Sequence, residues 1–156
     1  TYRDPLAIIW SSIKRYKMIP SRDTIEKQII ELNRYGYRDF NQLESLENRE
    51  NILVLIYEKF FNNTNYVFNQ FEEFFNIDIK GDIRKKLENE FSIKNVKKLI
   101  QNMDSFDNYD EVTQYHGLHI SDNNGKVDSY LQFFNKSDID YLKEIYMDFR
   151  KKYSYD

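Results

Sequence analysis

Residues 52–56 read Ile52-Leu53-Val54-Leu55-Ile56, with Glu50 and Asn51 before them and Tyr57, Glu58 and Lys59 after. An uninterrupted apolar run bounded by polar residues predicts a strand buried on both faces, the pattern of a parallel sheet. Toward the N-terminus, Thr1 to Arg3 reads as the tail of another strand. Asp4-Pro5 then supplies an N-cap followed by proline at the first helical position. Leu6, Ile9, Trp10, Ile13 and Tyr16 share one helical face, which carries that helix to about residue 17. A second helix is expected from Arg22 to Tyr35, with Ile25, Ile29 and Leu32 on its apolar side and Gly36 as its stop, and a third around Asp39 to Leu46.

Beyond the apolar run, a helix is expected from about Thr64 to Phe75, packed through Val67, Phe68, Phe71, Phe74 and Phe75. Two more follow at Ile83–Glu90 and Ser92–Met103. Residues 104–135 read as irregular and polar, with a turn at Asn123-Asn124-Gly125. Ile139, Leu142, Ile145, Tyr146 and Phe149 define a last amphipathic helix. Strand, helix, buried strand, helix is α/β grammar, but the strands are few for so many helices. The expected fold is therefore a fragment of a parallel sheet with a large helical remainder, organised as a single domain over residues 1–156.

The composition bounds the function. With 40% hydrophobic and 31% charged residues, the 156-residue chain is a globular protein able to bury a core. It has no cysteine, which excludes a disulfide framework, a thiolate nucleophile and any Cys-ligated metal. A net charge of −3 argues against a nucleic-acid coat. No apolar run approaches the ~20 residues needed to span a bilayer. A cytoplasmic setting is expected.

The chemistry concentrates at the strand ends. Arg3 lies at the carboxyl end of a predicted strand, where open α/β sheets bind ligands, and Ser11 follows eight positions on, off the apolar stripe. A guanidinium and a hydroxyl so placed can grip a phosphate. The ordinary alternative is an Arg paired to a neighbouring carboxylate and a Ser that faces solvent. His116 and His119 are the only histidines, and without a third ligand they do not make a zinc site. Lys94, Lys97 and Lys98, with Arg84, Lys85 and Lys86, read as a solvated face broken by Glu88 and Glu90.

Tyr2-Arg3-Asp4-Pro5 with Ser11 resembles the 3′-phosphate-binding motif of sulfotransferases that use 3′-phosphoadenosine-5′-phosphosulfate (PAPS). Ile52 to Phe60 is similar to that family's strand ending in Tyr-Glu-Asp/Lys, and Asn69–Ile77 to the helix after it. Tyr115 to Ser121, Gly125-Lys126-Val127 and Tyr130 resemble the C-terminal segment of bacterial-type members. The matches fall in the family's order, from residue 2 to about residue 150.

The resemblance implies a P-loop-type α/β fold. It also implies sulfuryl transfer from PAPS to a hydroxyl or amine, leaving adenosine 3′,5′-bisphosphate. Arg3, Ser11 and Lys126 would hold the 3′-phosphate, Tyr57 would lie beside the adenine, and Ser121 and Gly125 would belong to the loop that closes over the site. The acceptor is a small molecule, glycan or lipid. None of these residues is assigned a catalytic role.

The departures are specific. The Gly-rich loop that cradles the 5′-phosphosulfate has no counterpart among four scattered glycines. The Arg-Lys-Gly triplet of the cytosolic branch is missing, and Tyr130 replaces a Trp. The chain is accordingly expected to be the C-terminal portion of such an enzyme. It would be inactive without an upstream phosphate loop and general base. The alternatives are a non-catalytic, shortened relative that acts by binding, and an unrelated helical protein with no affinity for adenosine bisphosphates.

Overall fold

Asp4 and Pro5 start the first helix as their chemistry dictates. In the computed structural model α1 runs Pro5–Arg15. Pro5 at its first position forfeits no hydrogen bond, and Asp4 Oδ1 accepts from the Leu6 N–H at 3.0 Å. Lys14 and Arg15 in the last turn complement the negative end of the helix dipole. The structure describes residues 1–35, 49–105, 107–117, 120 and 124–155. After α1 come α2 (Arg22–Tyr35), α3 (Tyr57–Phe60), α4 (Thr64–Phe75), α5 (Gly81–Glu90) and α6 (Ile93–Leu99). A 3-10 turn (Ser129–Gln132), α7 (Lys136–Ile145) and α8 (Met147–Lys152) complete the described elements.

These residues fall into two compact units, Thr1–Lys59 with Val127–Asp156, and Phe60–Lys126. In the first, Leu6, Ile9, Trp10 and Ile13 of α1 pack with Ile25 and Ile29 of α2, and with Tyr130, Phe134, Leu142 and Tyr146 from the C-terminal segment. Trp10 stacks on Phe133 at 4.2 Å between ring centroids and meets Phe134 edge-on at 5.7 Å. Arg22 joins the start of α2 to the start of α7. Its Nε donates to Asp138 Oδ1 at 2.8 Å, and its guanidinium lies 3.9 Å from the centre of the Tyr141 ring.

The second unit holds α4, α5 and α6. Asn63 caps α4, and Asn76, in the left-handed conformation, ends it. Among the described residues of this unit, Phe68, Val96 and Ile100 are the buried apolar ones, whereas Phe75, expected in the core, is 57% exposed. The Arg84 guanidinium of α5 ties the two helices by pairing with Glu72 of α4 and donating to Asn69 Oδ1 at 3.0 Å. Gly117 is required where it stands, because a β-carbon there would overlap the backbone of Met103 and Asp104.

The parallel sheet fragment is not found among the described residues, and the P-loop-type α/β fold class is corrected to a predominantly helical one. Residues 52–55 are half-buried and form no ladder. The parallel pairing is a single bridge between Tyr2 and Ile56, in which Tyr2 N–H donates to Leu55 O at 2.8 Å and Tyr57 N–H to Tyr2 O at 2.7 Å. The reason lies in the residues that follow the bridge. Asp4-Pro5 opens α1 on one side and Tyr57 opens α3 on the other, so both segments leave the extended conformation at once.

The large helical remainder agrees with the expectation. The helices expected near residues 5–17, 22–35 and 64–75 stand within two residues of their expected ends. The stretch expected as one helix over Ser92–Met103 stops at Leu99, and the last amphipathic stretch is two helices broken at Tyr146. The helix expected around Asp39 to Leu46, with the stop at Gly36, lies outside the described residues. No described helix is long and apolar enough to cross a membrane.

Candidate functional site

The single bridge decides which side chains meet. Pairing Tyr2 with Ile56 sets Arg3 beside Tyr57 and Asp4 beside Glu58. The Arg3 guanidinium lies 4.3 Å from the centre of the Tyr57 ring, within cation–π range. Its Nε is buried without a hydrogen-bond partner, and it makes no ion pair among the described residues. Burial pushes the Tyr57 phenol above its ordinary value, the Arg3 charge pulls it down, and the Glu58 charge adds to the rise.

Asp4, the carboxylate next in sequence to Arg3, is engaged elsewhere. Its Oδ1 caps α1, and its Oδ2 accepts from Arg150 Nη1 and, at 3.3 Å, from the Tyr130 hydroxyl. The side chains of Arg150 and Asp4 are only 3% and 8% exposed. Burial opposes the Arg150 charge, but the hydrogen bond and charge of Asp4, with a smaller contribution from Tyr130, hold its pKa above the ordinary arginine value. Burial, then the Asp4 charge, pushes the Tyr130 phenol up, against a lowering by Arg150. The Asp4 N–H donates to Glu58 Oε1 at 2.9 Å, and Glu58 Oε2 is buried with no hydrogen-bond partner. Of the ordinary alternative, the pairing of Arg3 with its neighbouring carboxylate is therefore not the arrangement seen, whereas a Ser11 that faces solvent is.

Of the residues singled out from sequence, Arg3 and Tyr57 are in contact. Ser11 is exposed on α1, off the buried face. Gly125 and Lys126 belong to the second unit, with Gly125 at φ 77° and half-buried and Lys126 exposed. Ser121 lies outside the described residues. No sequence pattern marks Asp4, Glu58, Tyr130 and Arg150 as a cluster. The Asp4–Arg150 pair joins residues 146 positions apart, a distance no local pattern encodes.

His116 forms an antiparallel bridge with Tyr109, and His119 lies outside the described residues. Among the described residues no group of three or more His, Cys, Asp or Glu side chains is placed to hold a metal ion. A separate open groove of ≈ 540 Å³ runs along α1 and α2, walled by Ile8, Ile9, Met18 and Leu32. Ser12 and Gln28 are hydrogen-bonded to each other within it. None of Arg3, Ser11 or Tyr57 lines it.

No family model, no curated protein and no solved structure matches this chain.

Proposed function

We propose that this chain supplies the 3′-phosphate and adenine side of a PAPS site in a sulfotransferase, with Arg3 as the principal phosphate ligand. The observation that carries the reading is the state of Arg3. Its guanidinium is held over the Tyr57 ring, its Nε has no hydrogen-bond partner, and the adjacent carboxylate is taken by Arg150. A fixed guanidinium without an ion-pair partner among the described residues fits a phosphate, which brings both charge and acceptors. Ser11, one solvent-facing hydroxyl along α1, is a second donor.

PAPS, when bound, supplies the activated sulfuryl group. Every residue named here binds or orients. Arg3 and Ser11 fix the phosphate, Tyr57 offers an aromatic edge to the base, and the buried Asp4–Arg150 pair anchors the start of α1 on which Arg3 depends. The acceptor is a hydroxyl or amine of a small molecule, glycan or lipid. A second reading, a non-catalytic protein that binds the nucleotide, is favoured by the four scattered glycines, which leave this chain without a Gly-rich phosphate loop.

Calorimetric titration with adenosine 3′,5′-bisphosphate, against adenosine 5′-monophosphate as control, tests both readings. Selective binding of the bisphosphate is expected. Arg3→Ala should weaken it by roughly 10- to 100-fold, since a charge-assisted hydrogen bond contributes about 1.5–3 kcal/mol. Ser11→Ala should weaken it less. Unchanged affinity in both variants, or no preference for the bisphosphate, would overturn the assignment.

A further inference from the structure

Asn62, Asn76 and Asn124 all hold the left-handed backbone conformation, with φ of 65°, 50° and 57°. All three are exposed. They differ in the residue that follows, which is Asn63, Ile77 and Gly125 respectively, and Asn124-Gly125 is the one Asn-Gly pair in the sequence. Gly125 is itself left-handed at φ 77°, so the pair carries the two positive φ values that the turn favoured by such dipeptides requires, and both residues lie in a turn.

We infer that Asn124 is a site of spontaneous modification, at which its side-chain amide is converted to aspartate and isoaspartate with water as the sole co-reactant. The backbone nitrogen of Gly125, having lost its proton to base, attacks Cγ of Asn124. The new N–Cγ bond closes a succinimide ring, and the Cγ–Nδ2 bond breaks, releasing ammonia with the proton returned to it. Water then opens the ring at one of its two carbonyls. Opening at the side-chain carbonyl leaves aspartate with the peptide bond intact. Opening at the main-chain carbonyl leaves isoaspartate, with the chain running through the side chain. Nothing is oxidised or reduced.

Glycine at the following position is what separates Asn124 from the other two. Ring closure requires the turn to open and the attacking nitrogen to approach Cγ. A residue with no β-carbon neither shields that nitrogen nor restricts the rotation. Asn63 places a β-carbon there, and Ile77 a branched one. Asn76 is held further as the C-cap of α4, its N–H donating to Glu72 O. The product carries one more negative charge, two positions from Lys126.

The test is peptide mapping by mass spectrometry of the full chain, aged in mildly alkaline and mildly acidic buffer, with isoaspartate-specific labelling. Conversion is expected at Asn124, faster in the alkaline buffer, and not at Asn62 or Asn76 over the same period. It should be lost in Asn124→Gln, whose longer side chain closes a larger ring far more slowly. Conversion at Asn62 or Asn76 matching that at Asn124 would overturn the inference. So would an Asn124 that stays intact while a free peptide of residues 120–130 converts. Failure of the fresh protein to bind the bisphosphate would count against the nucleotide site and leave the mass map unaffected.

Discussion

Asp4 uses both carboxylate oxygens and its backbone N–H at once, capping α1, pairing with Arg150, accepting from Tyr130 and donating to Glu58. A buried charge pair contributes little over an apolar replacement, but removing one partner leaves the other desolvated and uncompensated. Asp4→Ala should therefore cost about 3–5 kcal/mol in urea unfolding, with the lost cap adding about 1 kcal/mol. Tyr130→Phe removes one long hydrogen bond from a carboxylate that keeps its other donors, and should cost only about 1 kcal/mol. Equal costs for the two variants would mean that the charge pair is not what holds α1 to the C-terminal segment. Arg3, one residue earlier, has the opposite character. It is positioned by an aromatic ring and has no ionic partner among the described residues, and this difference between adjacent residues carries the functional proposal.

At the scale of elements, α4 and α5 are joined by a hydrogen-bonded ion pair rather than by a deep apolar seam. Glu72 accepts from the Arg84 guanidinium and, at 2.7 Å, from the Ile79 N–H. The Arg84 hydrogen bond, then that of Ile79, hold the Glu72 carboxyl below its ordinary value against a small opposing effect of burial. The folded state thus binds this proton more weakly than the unfolded chain does. The stabilisation is fully present above the unfolded-state pKa and is lost as pH falls through the depressed folded-state value. Denaturant midpoints measured from neutral pH down through the carboxylate range should fall for the native protein, and fall less for Glu72→Gln. Parallel curves for the two proteins would show that the pair does not couple these helices. The N-caps of the same region, Asn63 and Ser92, are local devices, each side chain accepting from a backbone N–H three residues on.

At the scale of the whole molecule, the described residues form two helical units, with pairing between extended segments confined to the bridges Tyr2–Ile56 and Tyr109–His116. The far-UV circular dichroism spectrum should accordingly be dominated by helix, and a spectrum in which strand prevails would overturn the fold described here. The sequence by itself determined the helices whose signals are local. Asp4-Pro5 starts α1, the periodic Ile25, Ile29 and Leu32 define α2, and the aromatic stripe from Phe68 to Phe75 defines α4.

It also named Arg3 and Tyr57 as candidates. Their contact was decided by tertiary structure, through one backbone bridge between segments more than fifty residues apart. The run Ile52 to Ile56 specifies extended, apolar chain but not a partner, and a ladder needs a second segment that stays extended beside it. The Asp4–Arg150 pair was likewise beyond the reach of sequence. Capping and periodicity act over a few residues, whereas a buried ion pair exists only where folding brings two distant charges out of water together.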